Sequence, residues 1–238
     1  MNETGVRPAA AFPFGDDEWG AEVHYGPHAP PESKLRLLGP VAGRRILVLG
    51  AGAGQLPAAL ARSGAKVIVV EPDPVALALV RDHGSEHGLT IETHDRDLAE
   101  LAFVRAGTVD VALAVQSLVR VADPSRVFRQ LHRVLRPDAA LVASLPHPMR
   151  PVLGPPRHRY GQASPQRIVV ASGRGDIVLQ AHHHTTEALV AGLLRTNFAL
   201  DALLEPVPDR PSAPDAYWDP ACEGMPSALI VRARRLGR

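Results

Sequence analysis

Three glycines at alternate positions form the part of the sequence whose residue types point most directly to chemistry. Gly50, Gly52 and Gly54 lie between an apolar segment and an alanine-rich one, with Ala51 and Gln55 in the same loop. Without a Cβ, glycine lets the backbone turn tightly and approach a bound group closely. If the alanine-rich segment is a helix, its unpaired N–H groups and the positive end of its dipole favour a carboxylate or a phosphate. The loop therefore predicts a binding site for a ligand with an anionic group.

An acidic residue follows at a distance that is typical of nucleoside sites. Glu71, with Pro72 beside it, ends a second apolar segment about twenty residues after the glycines. An acid in this position usually binds the pair of ribose hydroxyls of a nucleoside cofactor. The loop alone leaves the cofactor open, because a nicotinamide or flavin site expects G-x-G-x-x-G and the third glycine would stand at Gln55.

Apolar segments that alternate with helical ones must position these residues. Asp73 and Asp123 each precede a proline, which predicts a capped helix start. Strands that alternate with helices of this length indicate an α/β fold with a parallel sheet and right-handed crossovers. In this first part of the chain the predicted strands are 46–49, 67–70, 90–93, 109–115 and 140–144, and the predicted helices are 56–63, 74–84 and 125–135.

The flanking regions differ from this regular pattern. Residues 1–34 are rich in proline, glycine and aromatic residues and predict an irregular N-terminal arm over the active site, with a short helix at 32–38 leading out of it. An insertion at about 146–184 follows the fifth strand, where substrate-shaping segments usually lie. The remaining predicted elements are a β-hairpin of 167–171 and 176–181, a helix at 186–195, and strands at 200–206 and 227–233.

Composition limits the classes of function. The 238 residues suffice for one α/β domain, and the net charge of +1 gives no indication of a nucleic-acid surface. No apolar run approaches the length of a membrane span. The single Cys222 excludes an internal disulfide framework and favours a reducing compartment. Since residues 1–15 also lack the pattern of a secretion signal, we expect a cytoplasmic monomer or homodimer.

Five segments in order make the sequence resemble the class I S-adenosylmethionine-dependent methyltransferases, in the small-molecule, quinone-biosynthesis-type (methyltransferase type 11) subgroup. The resemblance runs from about residue 35, so residues 35–238 would form the methyltransferase domain. It implies a Rossmann-like, doubly wound, seven-stranded sheet with an antiparallel C-terminal strand, 227–233, at the sheet edge. The segments are 48–54, 69–73, 97–103, 109–114 and 133–137, and 146–150, 182–185 and 228–231 are similar to the tail of subgroup members.

The resemblance also implies the roles of cofactor-binding residues. Glu71 would hold the ribose hydroxyls of S-adenosylmethionine. Asp97 would contact the adenine amino group with Leu98 beside the ring, although Asp95 is an alternative to Asp97. The residues expected beneath or beside the methionine part are Gly50, Ala51, Gly52, Gly54 and Gln55, with Val115 and Gln116 bordering the sulfonium.

Other candidates belong to the acceptor side. His147 follows the fifth strand, at the edge where ligands bind, and a neutral imidazole there could take a proton from an acceptor hydroxyl. Tyr25, with His24 before it, resembles an aromatic-Gly-Pro stretch of the subgroup that approaches the cofactor, and Trp218 is a candidate wall of the substrate pocket. We expect no metal at His182–His184, because strand alternation would turn the middle imidazole away from its neighbours.

The sequence thus predicts an enzyme that transfers a methyl group from S-adenosylmethionine to a small molecule. Oxygen is the expected acceptor atom, with nitrogen and carbon open. The alternative is a non-catalytic relative that binds the cofactor and acts through a protein partner. A nicotinamide-dependent oxidoreductase is weakened by Gln55 and by the absence of an evident catalytic Tyr-Lys pair, since Lys66 lies inside the second strand.

Overall fold

The computed structural model describes residues 7, 12, 22–153, 159–161, 165–172, 175–213 and 215–237. Most of the N-terminal arm (residues 1–34) and parts of the insertion (residues 146–184) therefore lie outside the described residues. Across the described ranges, no helix has the length and apolar character needed to cross a membrane.

The strands form at the predicted positions. Five strands extend beyond the predicted segments, one has the predicted limits, and three are shifted along the chain by one or two residues. Such differences are usual when backbone pairing rather than side-chain pattern defines the limits. The strands are β1 (Arg45–Leu49), β2 (Lys66–Val70), β3 (Ile91–His94), β4 (Val109–Val115), β5 (Leu135–Pro146), β6 (Gln166–Ser172), β7 (Gly175–Ala181), β8 (Phe198–Leu204) and β9 (Ala228–Arg235).

The helices connect these strands and begin where the capping residues predict. The Asp73 carboxylate accepts hydrogen bonds from the backbone N–H groups of Val75 and Ala76, and that of Asp123 accepts one from Ser125. The helices are α1 (Glu32–Leu35), α2 (Gln55–Arg62), α3 (Pro74–Glu86), α4 (Pro124–Val134), α5 (Arg150–Leu153) and α6 (Thr186–Arg195).

One helix is shorter than expected. The prediction of a helix at 32–38 is wrong at its C-terminal end, because Arg36 adopts a left-handed φ of 52° after the helix. The Glu32 carboxylate then accepts hydrogen bonds from the N–H groups of Leu37 and Leu38. These two residues therefore leave the helix and enter the core.

Seven strands form a single sheet in the order β3-β2-β1-β4-β5-β9-β8. The first five are parallel to one another, and β9 pairs antiparallel with both β5 and β8. The α/β, Rossmann-like, doubly wound sheet with an antiparallel C-terminal strand is thereby confirmed. The expected edge position of that strand is wrong: β8 forms the edge, and β9, whose residues Ala228–Val231 are all fully buried, lies inside the sheet.

The sheet separates two layers of core. Successive side chains of β1 alternate between them, with Leu47 and Leu49 in one layer and Ile46 and Val48 in the other. The strand order reverses between β1 and β4, so their carboxyl ends border the crevice where ligands bind in open α/β sheets. All the predicted cofactor residues lie at this edge of the sheet.

The insertion places a hairpin of β6 and β7 over the same edge. Ile168, Ile177 and Leu179 of the hairpin are buried in the core layer that also contains Ala76 near the start of α3. β7 contacts both α3 and a 3₁₀ turn at Leu118–Arg120 that follows β4. The hairpin therefore packs on two elements that flank the glycine loop and Glu71.

Candidate cofactor and acceptor site

The glycine loop has the backbone conformation that its composition predicts. Gly50, Gly52 and Gly54 have φ values of 74°, 55° and 95°. A Cβ on Gly50 would lie 2.5 Å from the Cβ of Ser117, and one on Gly54 would lie 3.0 Å from the Cα of Val80 in α3. The first glycine therefore permits contact between the loops after β1 and β4, and the third permits close packing of α2 on α3.

The Glu71 carboxylate is fully buried at the end of β2 and organises the glycine loop. One oxygen accepts a hydrogen bond of 3.0 Å from the N–H of Ala51, and the other accepts one of 2.8 Å from the N–H of Asp73. Pro72, which lies between Glu71 and Asp73 in the sequence, is exposed. A buried carboxylate with two backbone donors is held in one orientation, so Glu71 fixes the distance between the loops after β1 and β2.

Arg120 completes the surroundings of Glu71, and the sequence reasoning missed it. Its two terminal nitrogens donate to the two carboxylate oxygens at 2.8 and 2.7 Å, which is the bidentate geometry of a strong arginine–carboxylate pair. The Arg120 side chain is 11% exposed. A signal was present: Arg120 follows β4, and only β1 separates β4 from β2, so a long basic side chain there can reach the acid.

Three buried polar atoms in the loops beside Glu71 have no hydrogen-bond partner among the residues that the structure describes. They are Oε1 of Gln55, Oε1 of Gln116 and Oγ of Ser117, and each of these residues is at least 95% buried. Gln116 also has a positive φ of 54°, which is uncommon for a residue with a side chain. Unpaired buried oxygens are costly, and strained residues cluster at ligand sites. Together they mark this edge as a place that receives hydrogen-bond donors from a ligand.

The predicted adenine side is more open. Asp97 is exposed, and one of its carboxylate oxygens accepts a hydrogen bond of 2.8 Å from the N–H of Ala99, which closes a turn. Leu98 is buried and Asp95 is exposed. Asp95 and Asp97 both lie near the end of β3 and both are exposed, so both stay candidates for the contact with the adenine amino group.

The N-terminal arm reaches the carboxyl end of β4 through its backbone. The Gln116 side-chain nitrogen donates a hydrogen bond of 3.0 Å to the carbonyl of Tyr25. A Cβ on Gly26, whose φ is 152°, would lie 2.8 Å from that same nitrogen. Val115 beneath is 2% exposed. The arm therefore covers the residues expected beside the sulfonium.

The Tyr25 ring, by contrast, points into the protein. The side chain is fully buried and its hydroxyl donates a hydrogen bond to Glu32. Burial and this neighbouring carboxylate raise the pKa of the Tyr25 hydroxyl well above its ordinary value. Burial also lowers the pKa of the preceding His24. Tyr25 therefore reaches Gln116 through its backbone carbonyl while its ring anchors the arm, and its contact with a substrate stays a prediction.

Trp218 lies against the arm as well. It is 6% exposed, and its ring meets that of His28 edge-on at 5.5 Å between centroids. The Asp215 carboxylate accepts the backbone N–H of Trp218 at 3.1 Å. The predicted substrate residues His24, Tyr25 and Trp218 thus belong to one region in which the arm packs on the 215–218 loop, and their contact with an acceptor remains a prediction.

His147, the candidate base, is also buried. Its Nε2 lies 3.0 Å from a Glu205 carboxylate oxygen, and its Nδ1 accepts a hydrogen bond of 3.3 Å from the N–H of Met149. This pair of contacts assigns the proton to Nε2, because Glu205 is an acceptor and the Met149 N–H is a donor. Nδ1 is then the basic nitrogen, and its bond to Met149 is long.

The three consecutive histidines lie in the loop after β7 and not in a strand, so the alternation expected of them does not apply, but their rings still separate. The rings of His182 and His184 are near parallel at 6.4 Å between centroids, whereas His183 contacts the ring of Tyr160. The His184 Nε2 lies 3.2 and 2.9 Å from the carbonyls of Leu118 and Val121. No group of three potential metal ligands occurs within the described ranges. His184 instead holds the 3₁₀ turn that carries Arg120.

Comparison with known proteins agrees with this geometry. Residues 47–143 match a family model described as a methyltransferase domain. Two curated relatives are ubiquinone biosynthesis O-methyltransferases. The one from Hahella chejuensis is 32% identical over 130 residues, which are 53% of this chain and 55% of the relative. The one from Bordetella avium is 33% identical over 124 residues, which are 50% and 52%. The chain therefore spans about half the length of the curated relatives it matches.

A solved structure extends the comparison to most of the fold. The S-adenosylmethionine-dependent methyltransferase from Mesorhizobium loti is 26% identical, with a TM-score of 0.62, and the match covers 84% of this chain and 95% of that protein. The family-model match itself runs from β1 into β5 and includes the glycine loop, Glu71 and Arg120.

Proposed function

Because the chain belongs, through its methyltransferase domain at residues 47–143, to the class I S-adenosylmethionine-dependent methyltransferases, we propose that it transfers a methyl group from S-adenosylmethionine to a small-molecule acceptor. The observation that carries the proposal is the position of Glu71. Its buried carboxylate lies at the end of β2 and is hydrogen-bonded to the loop after β1. This is where the ribose of a nucleoside cofactor binds in a doubly wound sheet.

The side chains present fit the rest of this cofactor. S-Adenosylmethionine carries an ammonium group with N–H donors, and the orphaned oxygens of Gln55, Gln116 and Ser117 are acceptors at the same edge. The α2 helix begins beside them at Gln55 and offers its N-terminal N–H groups to the methionine carboxylate. Val115 and Gln116 would border the sulfonium, Leu98 the adenine ring, and Asp97 or Asp95 the adenine amino group.

The protein's contribution to the reaction is mainly positioning. S-Adenosylmethionine supplies an electrophilic methyl group: the acceptor–methyl bond forms as the sulfur–methyl bond breaks, and S-adenosylhomocysteine is released. The described part of the arm contacts Gln116 at the carboxyl end of β4, and we expect the acceptor to be held there in line with the methyl group. Where the acceptor is a hydroxyl, Nδ1 of His147 takes its proton, and Glu205 stabilises the resulting imidazolium through Nε2.

Oxygen is the acceptor atom we propose, since both curated relatives are named as O-methyltransferases. A hydroxyl acceptor also gives the His147–Glu205 pair a function, because nucleophilic oxygen must lose a proton during the transfer. A cytoplasmic location and a monomeric or homodimeric state remain predictions from the sequence.

One observation favours a second candidate. His147 is buried and both of its ring nitrogens have partners, which is compatible with a non-catalytic relative that binds the cofactor and acts through a protein partner. Such a protein would bind S-adenosylhomocysteine but would not consume S-adenosylmethionine with any acceptor.

Two measurements test the proposal. Isothermal titration calorimetry compares S-adenosylhomocysteine with NADH, and we expect binding of the first only. Mass spectrometry of a library of small hydroxylated molecules, incubated with the protein and methyl-labelled S-adenosylmethionine, then identifies the methylated product. Binding of NADH without binding of S-adenosylhomocysteine would refute the methyltransferase proposal, whereas cofactor binding without any product favours the non-catalytic alternative.

A further inference from the structure

The Arg120 guanidinium donates hydrogen bonds to the same carboxylate oxygens of Glu71 that a ribose would need as acceptors. Each carboxylate oxygen of Glu71 accepts one backbone N–H, from Ala51 or Asp73, and one terminal nitrogen of Arg120. A carboxylate has about four acceptor positions, and in this arrangement all four are occupied. The two backbone donors are fixed by the fold, so the Arg120 side chain is the partner that can be exchanged.

The two ribose hydroxyls and Arg120 offer equivalent donors. A guanidinium presents two parallel N–H groups to a carboxylate, and a ribose diol presents two neighbouring O–H groups to the same oxygens. Arg120 also lies close to the glycine loop, since one of its terminal nitrogens is 3.6 Å from the position of a Cβ on Gly50. The Arg120 guanidinium and a ribose diol therefore cannot bind Glu71 in this way at the same time.

We propose that Arg120 competes with the cofactor ribose for Glu71, and that cofactor binding therefore requires Arg120 to leave this carboxylate. The inference rests on the proposed function, because it needs Glu71 to be the ribose-binding residue. According to this inference, removal of the Arg120 side chain strengthens cofactor binding. Removal of a residue that contacts the cofactor would weaken it instead.

Arg120 lies on a turn that is hydrogen-bonded to the insertion. Arg120 ends the 3₁₀ turn at Leu118–Arg120, and the insertion is bonded to this turn at two places. The backbone N–H of His182 donates to the carbonyl of Val119 at 2.6 Å, and the His184 ring donates to the carbonyls of Leu118 and Val121. Arg120 therefore belongs to the turn to which the segment after the β6–β7 hairpin is bonded.

The test compares the dissociation constant of S-adenosylhomocysteine for the full-length wild type, Arg120→Ala and Arg120→Gln by isothermal titration calorimetry. We expect Arg120→Ala to bind at least about tenfold more tightly, as follows from the loss of one charged competing interaction. Arg129→Ala is the matched control, since Arg129 is exposed on α4 and lies 3.9 Å from Asp123, and its affinity should equal that of the wild type. If Arg120→Ala does not fold, the same criterion applies to Arg120→Gln.

A double-mutant cycle shows whether the gain acts through Glu71. In a Glu71→Gln background the carboxylate is gone, so Arg120→Ala should no longer tighten binding. Equal or weaker binding by Arg120→Ala than by the wild type would overturn the inference while leaving the proposed function intact. A gain that persists undiminished in Glu71→Gln would also overturn it. Absence of S-adenosylhomocysteine binding by the wild type would instead refute the proposed function, and this inference with it.

Discussion

The Glu71 carboxylate at the end of β2 accepts a hydrogen bond of 3.0 Å from the backbone N–H of Ala51 at the end of β1. The residue proposed to bind the ribose therefore also shapes the glycine loop on the neighbouring strand. A side chain with both tasks affects stability and cofactor affinity together, and the two effects have to be measured separately.

Replacement of Glu71 by alanine should lower both quantities. We expect the free energy of unfolding to fall by about 3–5 kcal/mol, because Arg120 would keep a largely buried charge without its partner. S-Adenosylhomocysteine binding should weaken by about 1–3 kcal/mol through loss of a charged hydrogen-bonding partner. Urea unfolding and calorimetry measure the two effects.

Glu86→Ala, which removes an exposed acid at the end of α3, is the control and should change neither the free energy of unfolding nor the cofactor affinity. Unchanged cofactor affinity in Glu71→Ala would refute the ribose role.

Gly50 and Gly43 form a matched pair for testing the glycine loop. Both have a φ of 74°, but a Cβ on Gly50 would lie 2.5 Å from that of Ser117, whereas a Cβ on Gly43 would have no neighbour within 4 Å in the described part of the chain. Gly43→Ala therefore measures the cost of the backbone conformation alone, about 1 kcal/mol. Gly50→Ala adds the clash, about 1–3 kcal/mol more, and should also weaken cofactor binding.

Denaturation midpoints of the two variants give the difference directly. The same free energy of unfolding for Gly50→Ala and Gly43→Ala would mean that the loops after β1 and β4 do not meet as described. Normal cofactor affinity in a folded Gly50→Ala variant would show that the close approach serves packing only.

Local patterns made much of this molecule predictable. Buried strands and capped helices depend on neighbouring residues, so the βα order, the positive-φ glycines and the position of Glu71 follow from the sequence. The position of β9 between β5 and β8 did not follow from local patterns, because it depends on pairing with strands that are distant in the sequence. The expectation of an edge strand came from the resemblance alone.

Contacts between distant residues account for what was missed at the site. Arg120 is 49 residues from Glu71, and Glu205 is 58 from His147. Beyond its charge, Arg120 has only its position after β4 as a signal, and Glu205 has none. The direction of the Tyr25 ring depends in turn on Glu32, which also binds the two residues after α1. A sequence pattern locates such residues on an element but does not pair their side chains.

The His147–Glu205 pair yields a test of the base proposal. If Nδ1 of His147 accepts the acceptor proton, His147→Ala should lower kcat by about 100-fold or more. Glu205→Gln should lower kcat to a smaller extent, because the Glu205 carboxylate no longer stabilises the imidazolium that forms during the transfer. Steady-state kinetics on the identified acceptor provide both results. Full turnover by His147→Ala would restrict His147 to a structural role between β5 and the loop after β8.

His184 predicts how stability depends on pH. Burial lowers the pKa of the His184 imidazole below its ordinary value of 6.5, and this outweighs the opposing effect of the Val121 and Leu118 carbonyls. As pH falls through 6.5, the unfolded chain takes up a proton that the folded side chain does not. The unfolded state then binds more protons, so the free energy of unfolding decreases on acidification until the lower pKa of the folded state is passed.

Urea unfolding at about pH 7.5 and about pH 5.5 measures this decrease. His184→Gln keeps an N–H donor for the 3₁₀ turn but does not titrate, so its decrease should be smaller, with the remainder coming from groups such as His24, whose pKa is also lowered by burial. An equal decrease in both proteins would mean that His184 becomes protonated as readily in the folded chain as in the unfolded one.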